Sequence, residues 1–236
     1  MGRFGNKLGF GKNLACIVIL TAMVAGCAPK PAPKPVIVPS PPPKVIVPPP
    51  PPPMPLPPGG AASSTKLPAY GVDGVRTTPN RGLSRDEAIW NFRAAINVAA
   101  LNCQGPVWGA IAQNYNRLII VHKVQLGKSN TAVDNEYRKR FVGQNALRVR
   151  DTRTTELYNY FALPPVREEF CNTGLQKSQE ALSVPLASFA DYAITSLNDV
   201  DAIFLRFYDA YAQYERDLAD WKLKNAPPAA GVATTG

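Results

Sequence analysis

Residues 29 to 58 hold 17 of the chain's 25 prolines. Each proline fixes its own φ and removes a backbone donor, so this stretch can form neither a helix nor a central strand. It therefore divides the chain into a short N-terminal piece, an extended stalk, and everything from Gly59 onward, which has to build its own core. An internal echo runs through the stalk: Lys34-Pro35-Val36-Ile37-Val38-Pro39, then Lys44-Val45-Ile46-Val47-Pro48. Polyproline II rises about 3.1 Å per residue, so the segment can reach roughly 90 Å as a semi-rigid spacer. Lys30, Lys34 and Lys44 keep it solvated and suit contact with anionic head groups or a cell-wall polymer. A second reading makes the stalk a ligand for a proline-recognising partner or for peptidoglycan. P-x-x-P patterns are nearly unavoidable at this proline density, which favours the spacer.

The first twelve residues carry Arg3, Lys7 and Lys12 and no acid, and Leu14 to Gly26 is almost wholly apolar and small. A basic start before so short an apolar run is the pattern of an export signal, whereas a membrane span needs about 20 residues. The run ends Val24-Ala25-Gly26-Cys27. This tetrapeptide resembles the lipobox of bacterial lipoproteins, and the resemblance covers only the first 27 residues. It implies cleavage before Cys27, a thioether from its thiol to diacylglycerol, and fatty acylation (palmitate among the acids used) of the new terminus. Two or three chains anchor a protein far more firmly than one, since each buried methylene contributes about 0.8 kcal/mol. Ala28-Pro29 follows the cysteine, where an aspartate often marks inner-membrane retention in that class. The resemblance thus implies the outer membrane, with the protein on its periplasmic face. Cys16 lies in the discarded part.

The expected organisation is a signal over 1–26, the lipidated cysteine and stalk over 27–58, an irregular lead-in over 59–82, a helical domain over 83–225 and a loose tail over 226–236. The formal charge of +9 invites a nucleic-acid reading, but six of the cations lie before Gly59 and the remainder carries 20 bases against 17 acids. A nucleic-acid partner is therefore not expected. The domain is polarised all the same. Arg138, Lys139, Arg140, Arg148, Arg150 and Arg153 are opposed only by Asp151, and the last forty-odd residues are acidic from Asp191 to Asp220. Two solvated faces, set opposite each other, account for this plainly; the functional alternative is a basic patch for an acidic partner, an anionic lipid or a glycan. With Cys16 removed and Cys27 lipidated, Cys103 and Cys171 remain, and an oxidising compartment suits a disulfide between them. A catalytic thiol is the alternative, although neither cysteine has a convincing base partner.

No strand alternation occurs, and helical periodicity recurs throughout. Ser84 and Glu87 form an S-x-x-E capping signal ahead of Ile89, Phe92, Ile96, Ala99 and Cys103. Gly105-Pro106 stops that helix, and Pro106 suits the first turn of the next, with Trp108, Ile111, Tyr115, Leu118 and His122 on one stripe. Gly127 to Asn130 reads as a break, with a third helix from about Thr131. A fourth holds Leu157, Tyr158 and Phe161, and Pro164-Pro165 opens a fifth. Pro185 precedes a sixth with Phe189, Tyr192 and Leu197, followed by a last long helix from Ile203 to Trp221. The fold class expected is all-α, a compact bundle of six or seven helices.

Chemistry is hard to find. His122 is the only histidine, which removes multi-histidine metal sites and makes histidine triads improbable; no metal or cofactor is expected. Glu168-Glu169 sits where acids favour a helix start. The aromatic run "IFLRFYDAYAQYERDLADW" is mostly core in character, but Tyr208, Tyr211 and Tyr214 cannot all face one way. Some of that aromatic surface is expected to be free for a partner. The leading expectation is a non-catalytic, membrane-anchored envelope adaptor whose partner is peptidoglycan or another envelope protein. An enzyme acting on cell-wall material and a carrier enclosing a small apolar ligand or lipid are the alternatives.

Overall fold

A computed structural model describes residues 50–225. Cys27, the signal, the stalk before Pro50 and the tail from residue 226 lie outside the described residues. Six α-helices follow in order: α1 Arg85–Asn102, α2 Ala110–Val121, α3 Lys123–Arg140, α4 Ala146–Phe161, α5 Arg167–Ser183 and α6 Phe189–Asn225. Three short 3-10 turns, Pro58–Gly60, Pro164–Val166 and Leu186–Ser188, punctuate them. Among the described residues, strand-like pairing is confined to one isolated bridge between Tyr70 and Arg76. The domain is an all-α bundle.

α1 is its hub and packs against each of the other five helices. Its sequence explains why. Beyond the expected stripe of Ile89, Phe92, Ile96 and Ala99, the small residues Ala94, Ala95 and Val98 are also buried. A helix apolar on most of its circumference belongs inside a bundle. Its start is held as the S-x-x-E pattern requires: Glu87 N donates to Ser84 Oγ at 3.1 Å, and Ser84 N donates to Glu87 Oε2 at 3.1 Å. Its end is tied by the Cys103–Cys171 disulfide, with a Cα–Cα distance of 5.6 Å, to the first turns of α5. One turn along, Gly174 faces Ala99 so closely that an added Cβ would stand 2.9 Å from the alanine methyl.

Three boundaries differ from the sequence reading. Pro106 lies in a turn, and α2 starts at Ala110. α3 runs straight through Gly127, and the break falls instead at His122, whose φ of −100° and ψ of 18° end α2. The imidazole there is drawn inward: it is buried, bonds the Ala181 carbonyl at 2.8 Å and stacks on Phe189 with centroids 3.7 Å apart. Anchoring that ring outweighs the cost of about 1 kcal/mol for an exposed helical glycine. Finally, the expected sixth and seventh helices are one. From Phe189 to Asn225 there is no proline or glycine, and the weak helix formers in between are engaged: Asp199 pairs with Lys177, and Asp201 accepts from Tyr160.

The lead-in has almost no regular structure, as its composition suggests, yet it is packed against the bundle. Arg76 is only 4 % exposed. Its Nε donates to Asp209 at 2.9 Å, its other two nitrogens donate to the carbonyls of Pro68 and Tyr208, and its guanidinium lies over the Tyr70 ring.

Candidate functional site

Where the lead-in crosses α1, α3 and α4 it leaves a half-open cleft of about 1150 Å³. A polar network backs one wall, where Thr78, Asn91 and Tyr160 line the cleft and Asp201 and Asn80 stand behind them. Asp201 of α6 accepts from Tyr160 Oη at 2.7 Å, Asn80 Nδ2 at 2.8 Å and Thr78 Oγ1 at 3.3 Å, and Asn91 of α1 donates to Asn80 at 3.0 Å. These bonds clip residues 78–80 onto α6 and α1, and Tyr160 of α4 joins them through Asp201. Burial, reinforced by the Asp201 charge, pushes the Tyr160 hydroxyl far above its ordinary range, so it stays a donor.

Arginine and aromatic rings form the opposite wall. Trp90 of α1 lies against two guanidinium groups, Arg93 at 4.9 Å and Arg150 at 5.6 Å from the ring centroid. Arg150 is oriented by Asp134, with which it pairs, and by Asn130 Oδ1 at 2.7 Å. Arg140 lies over Tyr137 and donates two bonds of 3.2 Å to the two oxygens of Glu87. The Glu87 side chain is only 6 % exposed, so the carboxylate that caps α1 is also the buried half of an ion pair. That pairing holds the Arg140 guanidinium above its ordinary pKa, the hydrogen bond to Glu87 contributing most.

The six cations singled out in the sequence therefore separate. Arg140, Arg150 and Arg153 line the cleft; Arg138, Lys139 and Arg148 are exposed and do not. Arg153 is mostly exposed and pairs with Glu156 on its own helix. The basic segment and the acidic face of α6 do not meet in ion pairs among the described residues. Arg76, Arg85 and Lys177 pair with the acids of α6 and Arg206 of α6 pairs with Glu169 of α5, whereas the cations of α3 and α4 pair with Glu87, Asp134, Glu136 and Glu156. The tyrosine surface expected on α6 is corrected as well. Tyr208 and Tyr211 are buried and Tyr214 is half-buried against the core, because the lead-in covers that side of the helix. Sequence reasoning also missed Trp90 and Lys66, which line the cleft. Trp90 falls beside the apolar stripe, Lys66 sits in an unstructured stretch, and neither carries a periodic signal.

In chemical terms the cleft offers a flat indole ring, positive charge and amide and hydroxyl donors. Its two carboxylates are taken: Glu87 accepts from Ser84 N and Arg140, and Glu156 pairs with Arg153. Among the described residues no three His, Cys, Asp or Glu side chains are placed to hold a metal ion, and no helix is long and apolar enough to cross a membrane. No family model, curated protein or solved structure matches the chain.

Proposed function

We propose that this chain is a lipid-anchored envelope lipoprotein, tethered through Cys27 to the outer membrane on its periplasmic face. Its helical head is a non-catalytic binding module held off the bilayer by the proline stalk. The head acts as an adaptor that takes an acidic segment of another envelope protein in the cleft between the lead-in, α1, α3 and α4. The observation that supports this reading best is the Trp90 ring set against Arg150 in a cleft whose carboxylates are already bonded. Positive potential beside a flat apolar ring selects for an acidic partner with an exposed side chain to seat. The anchor rests on the Val24–Cys27 tetrapeptide and the apolar run before it.

The cell-wall-enzyme reading needs a free buried carboxylate in the cleft, and Glu87 is fully engaged there. The lipid-carrier reading needs an enclosed apolar cavity, whereas both the cleft and a smaller hollow of about 210 Å³ beside Trp90 are lined by arginine. A photo-crosslinker in place of Thr154 in intact cells tests the partner. Capture of an acidic envelope protein is expected, and capture should vanish when Lys66→Glu and Arg153→Glu are combined, both changes being away from the core. Capture that survives the double reversal, or capture of peptidoglycan alone, would overturn the assignment. The anchor is tested separately: Cys27→Ser should leave the membrane fraction, and a variant that matures and fractionates unchanged refutes it.

A further inference from the structure

α6 has 37 residues and is about 55 Å long, but its buried positions end at Tyr211. Its last turns leave the core. There Tyr214, Leu218 and Trp221 continue the face of Tyr211 at helical spacing and are half-buried, while Gln213, Glu215, Arg216, Asp217 and Asp220 around them are exposed. Tyr214 packs back against the core, and the base of the stalk reaches the far end of this face, with Pro50 to Pro53 remaining exposed. Trp221 Nε1 donates to the Pro52 carbonyl at 2.7 Å, and Tyr211 Oη donates to the Ala62 carbonyl at 2.9 Å. Pro55, Pro57 and Pro58 are half-buried, whereas Leu56 between them is 80 % exposed. Pro57 has φ −67° and ψ 142°, the polyproline II region.

The chemistry of this contact is specific. A polyproline strand makes no internal hydrogen bonds, and its prolines cannot donate, so its carbonyls are acceptors in need of donors. Aromatic rings that seat proline while their N–H or O–H groups bond the strand's carbonyls are the known means of reading it. Of the two donors, Trp221 alone bonds the polyproline strand, while Tyr211 bonds Ala62 beyond the turn that ends it. The donors stand ten residues apart on α6, about 15 Å along a helix, and their acceptors ten residues apart in the chain, about 31 Å if fully extended. The Pro58–Gly60 turn absorbs the difference. Gly59 makes it possible: its φ is +58°, and a Cβ there would stand 2.5 Å from the Pro165 carbonyl oxygen.

We infer that the end of α6 that carries Trp221 is a polyproline II-binding site, and that its occupant is the base of the protein's own stalk, Pro50–Pro58, bound within the same chain. The stalk is then strapped to the head, and about 28 Å of spacer is withdrawn from its free length. This assignment is independent of the lipid anchor and of the cleft.

The test uses the full chain and the fluorescence of Trp221, isolated by difference against Trp221→Phe. Combined Pro52→Gly, Pro55→Gly and Pro57→Gly should move that emission to the red and raise its acrylamide quenching severalfold, with helical content unchanged. A peptide spanning residues 48–58, added at millimolar concentration, should restore the shielding, and a glycine-serine peptide of equal length should not. Equal quenching in both chains, or no rescue by the proline peptide, would overturn the site. Shielding of the unaltered chain that grows with protein concentration would overturn the same-chain occupant in favour of a second copy. Should the triple variant not fold, Trp221→Ala reads the same contact. Amide exchange at Gly60 and Ala61, whose N–H groups close the turn, should accelerate, and unchanged exchange would refute the strap.

Discussion

Glu87 carries three hydrogen bonds on one buried carboxylate, from Ser84 N and from both terminal nitrogens of Arg140. Removing one partner of such a group leaves charge without compensation, which costs more than the pair contributes while intact. The Arg140 side chain is 49 % exposed, so water moderates that cost. Arg140→Ala is expected to lower stability by about 1–3 kcal/mol in urea unfolding, and Arg140→Lys to recover only part of it, because a lysine cannot make the two parallel bonds. Arg138→Ala, at an exposed position two residues away, should change stability by less than about 0.5 kcal/mol. The contrast matters for reading basic clusters: neighbours in sequence with the same charge divide into a structural cation and a solvated one.

At the scale of elements, the α1–α5 crossing is the most constrained contact in the bundle. The disulfide and the Ala99–Gly174 approach are one helical turn apart and depend on the same close spacing. Both sulfur-bearing residues are buried. The bridge spans 68 residues and, in the chain-entropy treatment, contributes about 4 kcal/mol. Cys103→Ser with Cys171→Ser should lower the unfolding free energy by about that amount, measured in urea against the oxidised parent. Gly174→Ala sets two effects against each other: a gain of about 1 kcal/mol in helix propensity and an overpacking cost of about 1–3 kcal/mol. Because the intruding methyl would meet another methyl on a rigid helix, overpacking should win, and a lower thermal midpoint is expected. Gly127 is the control. It is exposed with nothing within 4 Å of a Cβ, so Gly127→Ala should raise the midpoint.

For the molecule as a whole, several buried or half-buried tyrosines share one pH response. Desolvation pushes the hydroxyls of Tyr160, Tyr192 and Tyr208 above their ordinary range, with Asp201 or Glu180 adding to it. In the unfolded chain they ionise near pH 10, while in the folded chain they hold their protons to higher pH. Between those values the folded state binds more protons, so stability is fully present below about pH 10 and falls as pH rises beyond it. Urea unfolding across the alkaline range should show that decline, with part of the phenolate absorbance emerging only on unfolding. Tyr160→Phe should flatten the slope.

Much of the fold was legible beforehand because it depends on local patterns. The capping signal at Ser84, the apolar stripe of α1 and the all-α class each follow from residue order and spacing, whereas the cysteine pairing was expected by elimination, once the lipobox resemblance had set Cys16 and Cys27 aside. The helix joints failed where a local signal met a distant one. Gly127 reads as a breaker, but nothing local says that His122 will be pulled toward Ala181 and Phe189. Tyr208 and Tyr211 read as partner surface because nothing local says that residues from a segment without periodicity will cover them. The sequence by itself determined which stretches become helices and which cannot, since propensity and periodicity act over a few residues. Only the tertiary structure decided which charges are consumed in pairs, where the cleft opens and what lies on α6. Those outcomes depend on contacts between residues as far apart as Pro52 and Trp221, and their energy exists only once the chain has brought them together.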